Sequence, residues 1–138
     1  MIERTKTIFA NVTVIVVIAL ILIGGTTWWR QRAQFQRGEA AFNARDYLGA
    51  IAGYEAAIHL YTPGSRLVER SAQRLWELGG AYERSGDLER ALVTYRALRS
   101  SFYAAAWLRQ PGKDWIDRCD ARIAGILRQQ GYAGNQIR

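Results

Sequence analysis

The uncharged run from Thr7 to Trp29 constrains this chain more than any other feature. It is built mainly of Ile, Val, Leu and Ala. At about 1.5 Å per residue, a helix over this run reaches across a hydrocarbon core of roughly 30 Å. Asn11 and Thr13 interrupt it, and Thr26-Thr27 lie at its far end. Trp28 and Trp29, followed by Arg30 and Arg32, have the composition of membrane-interface anchors, an aromatic belt with basic residues behind it. A cleaved signal peptide is the competing reading. Against it, the run is long, Gly24-Gly25-Thr26-Thr27 offers no A-x-A site, and two Trp follow at once. The expectation is a short tail over 1–6 and an uncleaved transmembrane helix over 7–29.

Orientation is less well determined. Arg4 and Lys6 precede the span, and Arg30, Arg32 and Arg37 follow it, so the positive-inside rule gives nearly a tie. A short N-terminal tail before a single span favours a periplasmic C-terminal domain. The Arg-rich far flank argues for a cytoplasmic one.

The best-formed stretch after the span is Leu78–Leu98. Leu75, Leu78, Gly79 and Tyr82 recur at three- and four-residue spacing and share a helical face, as do Leu88, Ala91, Leu92, Tyr95 and Leu98. Ser85-Gly86-Asp87 breaks the two faces apart, with Gly86 suited to a left-handed helix end and Asp87 to an N-cap. Small residues (Gly79, Ala91) permit close backbone approach beside the larger Tyr82 and Tyr95. This pattern predicts a helical hairpin.

The spacing resembles the tetratricopeptide repeat, a 34-residue helix–turn–helix unit. In a unit started at Ala72, Leu78, Gly79, Tyr82, Gly86, Ala91 and Tyr95 fall on signature positions. Leu75 stands where the family favours Trp, Leu98 where it favours Ala, and the closing Pro near Tyr103 is missing. A second copy, started at Gln31, matches at Gly38, Asp46, Tyr47, Ala50, Tyr54 and Ala57. Its Arg37, Ala41 and Arg45 replace the usual Leu, Tyr and Gly. Pro63-Gly64 ends that copy. The repeats therefore map to 31–64 and 65–105, with about seven extra residues from Ser65 to Ser71. These lengthen the second repeat's first helix, which is expected to start near Ser65 and project beyond the bundle.

Pro111-Gly112 precedes a last apolar stripe (Trp115, Ile116, Cys119, Ile123, Ile126, Leu127), read as a helix capping the array within a loop-and-cap segment over 106–130. A loose tail is expected over 131–138. The fold class is thus all-α: one transmembrane helix, a short array of TPR-like hairpins and a C-terminal cap. Two hairpins are few for such an array, so a partner protein or a second copy of the chain is expected to cover what remains exposed.

The chemistry-bearing residues are sparse. The net charge is +7 with a pI near 10.1, but acidic residues are interspersed and no basic arm suggests nucleic acid. One cysteine, Cys119, excludes an intrachain disulfide and a cysteine-based zinc site in this chain. His59 has no carboxylate or nucleophile motif around it. Asp114, Asp117 and Asp120 read as a solvated acidic face near a helix N-terminus rather than a metal site. No catalytic, cofactor or metal site emerges, and the chain is not expected to be an enzyme.

The family resemblance implies a protein-binding groove lined by the first helix of each hairpin. Its residues here would be Arg32, Phe35, Glu39, Phe42 and Asn43, then Gln73, Trp76, Gly80, Glu83 and Arg84. Aromatic Tyr103 and Trp107 form a second candidate surface. By analogy of fold, the expected role is that of a membrane-anchored scaffold or accessory subunit of a larger complex in a bacterial inner membrane. Two alternatives remain: a peptide-binding adaptor or chaperone-like module, and a basic domain bound to anionic lipid or nucleic acid.

Overall fold

The computed structural model describes residues 2–106 and 109–135, with side chains for residues 6–106 and 109–131. These residues form five helices and no strand: α1 (Ile2–Asn43), α2 (Tyr47–His59), α3 (Arg66–Arg84), α4 (Leu88–Ala104) and α5 (Lys113–Asn135). The fold class is all-α with one long apolar N-terminal helix.

Helix α1 is continuous over 42 residues, roughly 63 Å at the standard rise. From Lys6 to Arg30 its side chains are exposed almost without exception, and Gln31 is the first buried residue. One helix therefore has two unlike parts. Its first part is apolar and unaccompanied, with Leu20, Ile21, Leu22 and Ile23 each more than 60% exposed. It is long and apolar enough to cross a membrane. The hydroxyls of Thr13, Thr26 and Thr27 donate to carbonyls one turn back (Phe9, Leu22 and Ile23) at 2.8–2.9 Å. These polar groups are thus satisfied within the helix, as a hydrocarbon setting demands.

Beyond Gln31, α1 packs antiparallel on α2, α3 on α4, and α5 on α4. The two hairpins repeat each other's local devices 41 positions apart. Asp46 accepts from the Gly49 amide, as Asp87 does from Arg90. The amides of Asp46 and Asp87 reach back to the carbonyls of Ala41 and Tyr82, each at 2.9 Å. The left-handed turn position is Gly86 (φ 80°) in one hairpin and Arg45 (φ 61°) in the other. Gly38 and Gly79 let Tyr54 and Tyr95 lie flat on the opposite helix. A methyl at either glycine would sit 2.7–2.8 Å from the tyrosine ring, closer than packed carbons come. Gly53 faces the α1 backbone at Gly38 in the same way. Both tyrosines are fully buried, in one continuous core running from Phe35 to Ile126.

Two expectations need correction. The extra turns at the start of α3 do not project: Val68 and Ser71 are buried, and the Trp115 indole donates to Glu69 at 3.1 Å. Nor does a loose tail begin at residue 131, because α5 runs on to Asn135, no proline interrupting it. Residues 136–138 and Trp107 lie outside the described residues.

Candidate functional site

The residues expected to line a groove divide into two groups. Phe35 and Trp76 occupy equivalent places and turn inward. Phe35 is only 5% exposed; its ring meets Tyr54 at 5.8 Å, and the Arg70 guanidinium covers it at 4.8 Å. Trp76 meets Tyr95 at 5.1 Å and is covered by Trp115 at 6.0 Å. Helix α5 therefore lies on the second hairpin as α3 lies on the first. These aromatics are mortar between units, and Phe35 is not available to a ligand.

The second group forms a polar seam between α1 and α3. Glu39 accepts from Arg74 Nε at 2.9 Å and Nη2 at 3.0 Å, and from the Tyr54 hydroxyl at 2.6 Å. Burial pushes the Glu39 carboxyl up, but the bonds from Arg74 and Tyr54 and the charges of Arg74 and Arg70 outweigh it, leaving it below its usual value. Burial, then the same contact, raises the Tyr54 phenol. Arg74 also lies over the Phe42 ring at 5.7 Å and reaches Glu77 at 3.5 Å. Arg74 was not among the residues singled out from the sequence. Its signal there is faint: Arg70, Arg74 and Glu77 follow one another at helical spacing on α3.

Glu83 accepts from Tyr95 at 3.1 Å and from Arg122 at 3.2 Å, joining α3, α4 and α5. Burial, then this bond, pushes the Tyr95 phenol up to about 12. Arg32, Asn43, Gln73 and Arg84 are exposed, Gly80 half-buried. The face shared by α1 and α3 is therefore charged, with its aromatics already engaged.

One exposed apolar surface beyond the bare part of α1 lies elsewhere. A groove of about 330 Å³ opens between α2 and α4 beside the two hairpin turns. Tyr47, Leu48, Ile51, Tyr82 and Val93 form its apolar floor, with Arg45 and Arg90 at its edge. Leu48 is 75% and Val93 53% exposed. Tyr47 bridges the hairpins by edge-on contacts with Phe42 at 5.9 Å and Tyr82 at 6.1 Å. The groove is hard to read from sequence because Leu48 and Val93 fall outside the repeating core positions. Apolar residues at such positions were its available signal.

For chemistry the inventory is thin. Among the described residues no three His, Cys, Asp or Glu side chains gather as metal ligands. Asp117 pairs with Lys113 at 2.7 Å and Asp120 with Arg99 at 2.8 Å. Burial, with the Asp120 charge, pushes the Cys119 thiol up to about 12, so the thiolate a nucleophile needs is scarce.

Comparison with protein-family models, with curated proteins and with solved structures finds no match.

Proposed function

We propose that this chain is a single-span membrane protein whose TPR-like helical bundle is a non-enzymatic scaffold or accessory subunit of a larger membrane complex. One observation carries the reading. The same uninterrupted helix is bare and apolar from Lys6 to Arg30 and becomes a core helix of the bundle at Gln31. A bare apolar stretch of that size is unfavourable in water and ordinary in lipid. A bundle seated directly on it suits a protein that works beside other membrane subunits.

The outer groove at Leu48 and Val93 is the surface best suited to a protein partner. Exposed apolar and aromatic side chains rimmed by arginine favour a segment with apolar anchors and acidic flanks. Photo-crosslinkers placed at Leu48 and Val93 should yield the same partner subunit in native membranes, and Leu48→Asp with Val93→Asp should release it. Mild extraction that gives only free monomer, with no crosslinked product at either position, would overturn the reading. We propose the periplasmic side of a bacterial inner membrane for the domain, with Arg4 and Lys6 held on the cytoplasmic side. Protease digestion of spheroplasts checks this, since a cytoplasmic domain would survive.

The peptide-adaptor reading is the weaker one, because Phe35 and Trp76 are already packed between helices.

A further inference from the structure

The bundle has two ends, and only one of them adjoins the span. Gln31 identifies the end next to the span. Its side-chain amide donates to the carbonyls of Ala57 at 3.0 Å and Leu60 at 2.9 Å, and its oxygen accepts from the Ser65 hydroxyl. The α2–α3 turn is thereby fastened to α1 three residues after Trp28. Three residues advance a helix about 4.5 Å. The headgroup layer on each side of a bilayer is about 5–7 Å thick. A turn held at this height lies at headgroup depth. The α4–α5 connection is at the same end: Phe102, Gly112 and Trp115 share a cleft with Tyr61, Thr62, Ser65 and Arg66.

At this end Tyr61 is 38% and Tyr103 53% exposed, and Arg66, Arg109 and Lys113 are exposed as well. The acidic side chains nearby are Glu69, Asp114 and Asp117. Glu69 accepts from the Trp115 indole, and Lys113 meets Asp117 at 2.7 Å in a solvent-exposed pair. The opposite end also carries cations, Arg45, Arg84 and Arg90, beside the capping residues Asp46 and Asp87, but it lies away from the span.

We propose that the span-facing end of the bundle beds into the headgroup layer of an anionic phospholipid bilayer, with Tyr61 and Tyr103 as interfacial aromatics and Arg66, Arg109 and Lys113 against lipid phosphates. Exposed aromatics and cations at headgroup depth are what an anionic interface attracts. The inference rests on the reading of α1 as a span. It adds a second contact, which fixes how the bundle stands on the membrane. A single helix leaves the bundle free to tilt; a second footing beside it does not.

The test uses the full-length chain in lipid nanodiscs carrying a single fluorophore at Ala106→Cys near the span, Ser85→Cys at the far end, or Ile18→Cys within it. The wild-type chain, with its one cysteine buried, is the blank. Lipids spin-labelled at mid-chain should quench the label at position 18. Lipids spin-labelled at the headgroup should quench position 106 several-fold more than position 85 when phosphatidylglycerol is present. Each of Arg66→Gln, Arg109→Gln and Lys113→Gln should lower the docked-to-undocked ratio by about fivefold, and a purely zwitterionic bilayer should act like all three together. Quenching at 18 with equal quenching at 106 and 85 overturns the inference and leaves the span standing. No quenching at 18 overturns the span and the inference with it. A strong signal at 106 that ignores both charge removal and lipid charge overturns the anionic recognition.

Discussion

Arg45 occupies a backbone conformation that its own side chain disfavours. Its φ of 61° is left-handed, and the position 41 residues later is glycine at 80°. A non-glycine residue in that region costs about 1–2 kcal/mol, part of which glycine returns as lost entropy. Arg45→Gly should therefore raise stability by about 0.5–1 kcal/mol, measured as a shift in thermal midpoint. The helical glycines split in the opposite sense. At Gly53 an added methyl would meet the Gly38 backbone at 2.5 Å, and backbone cannot rotate aside. Gly53→Ala should cost about 3 kcal/mol. At Gly125 an added methyl meets nothing within 4 Å, so Gly125→Ala should stabilise α5 by about 0.5–1 kcal/mol. Denaturant titration of the two variants should move the midpoints in opposite directions.

The helices themselves were largely legible. Their caps and period-3.6 apolar positions are local, and Asp46, Ser65 and Asp87 cap α2, α3 and α4. The uncharged run was equally plain, because length and apolarity need no tertiary context. What could not be read were contacts between distant elements. The extra residues from Ser65 to Ser71 looked surplus because nothing local indicates that Trp115, 46 residues beyond Glu69, hydrogen-bonds to it. Phe35 and Trp76 looked like groove residues because the likeness that nominated them assumes an open array, whereas here α3 and α5 cover them. Trp76→Ala should consequently cost about 3–4 kcal/mol by opening a cavity among Tyr95 and Trp115. A loss of binding in that variant means little unless its thermal midpoint is also recorded. The charged seam was invisible for a related reason: Glu39 and Arg74 are 35 residues apart.

The whole bundle has an acid-sensitive join at that seam. The Glu39 carboxyl titrates below its ordinary value of 4.5 once folded, so the unfolded chain binds its proton more readily. Its stabilisation is complete above about pH 4.5 and is lost as pH falls through the lower folded value. Glu55 acts in the opposite sense. Burial, partly offset by the charge of His59 and a bond with Ser101, raises its pKa, so its penalty is relieved on acidification. Glu39→Gln should cost about 1 kcal/mol at neutral pH, the pair being partly solvated. It should also flatten the acid limb of a plot of thermal midpoint against pH, while Glu55→Gln steepens it. Identical limbs in wild type and Glu39→Gln would show that the seam contributes nothing.

Between the last bare residue of α1 and its first buried one there is no slack. Arg30 is exposed, Gln31 is locked to α2 and α3, and the helix does not break between them. Span and bundle consequently have a fixed phase, like two wheels keyed to one shaft. One alanine inserted after Arg30 would turn the bundle by about 100° relative to the bare apolar part of α1, and four would bring it back to within about 40°. A partner that grips both parts should tolerate the longer insertion better than the shorter one. Co-purification of the complex from cells carrying each insertion reads that difference out directly.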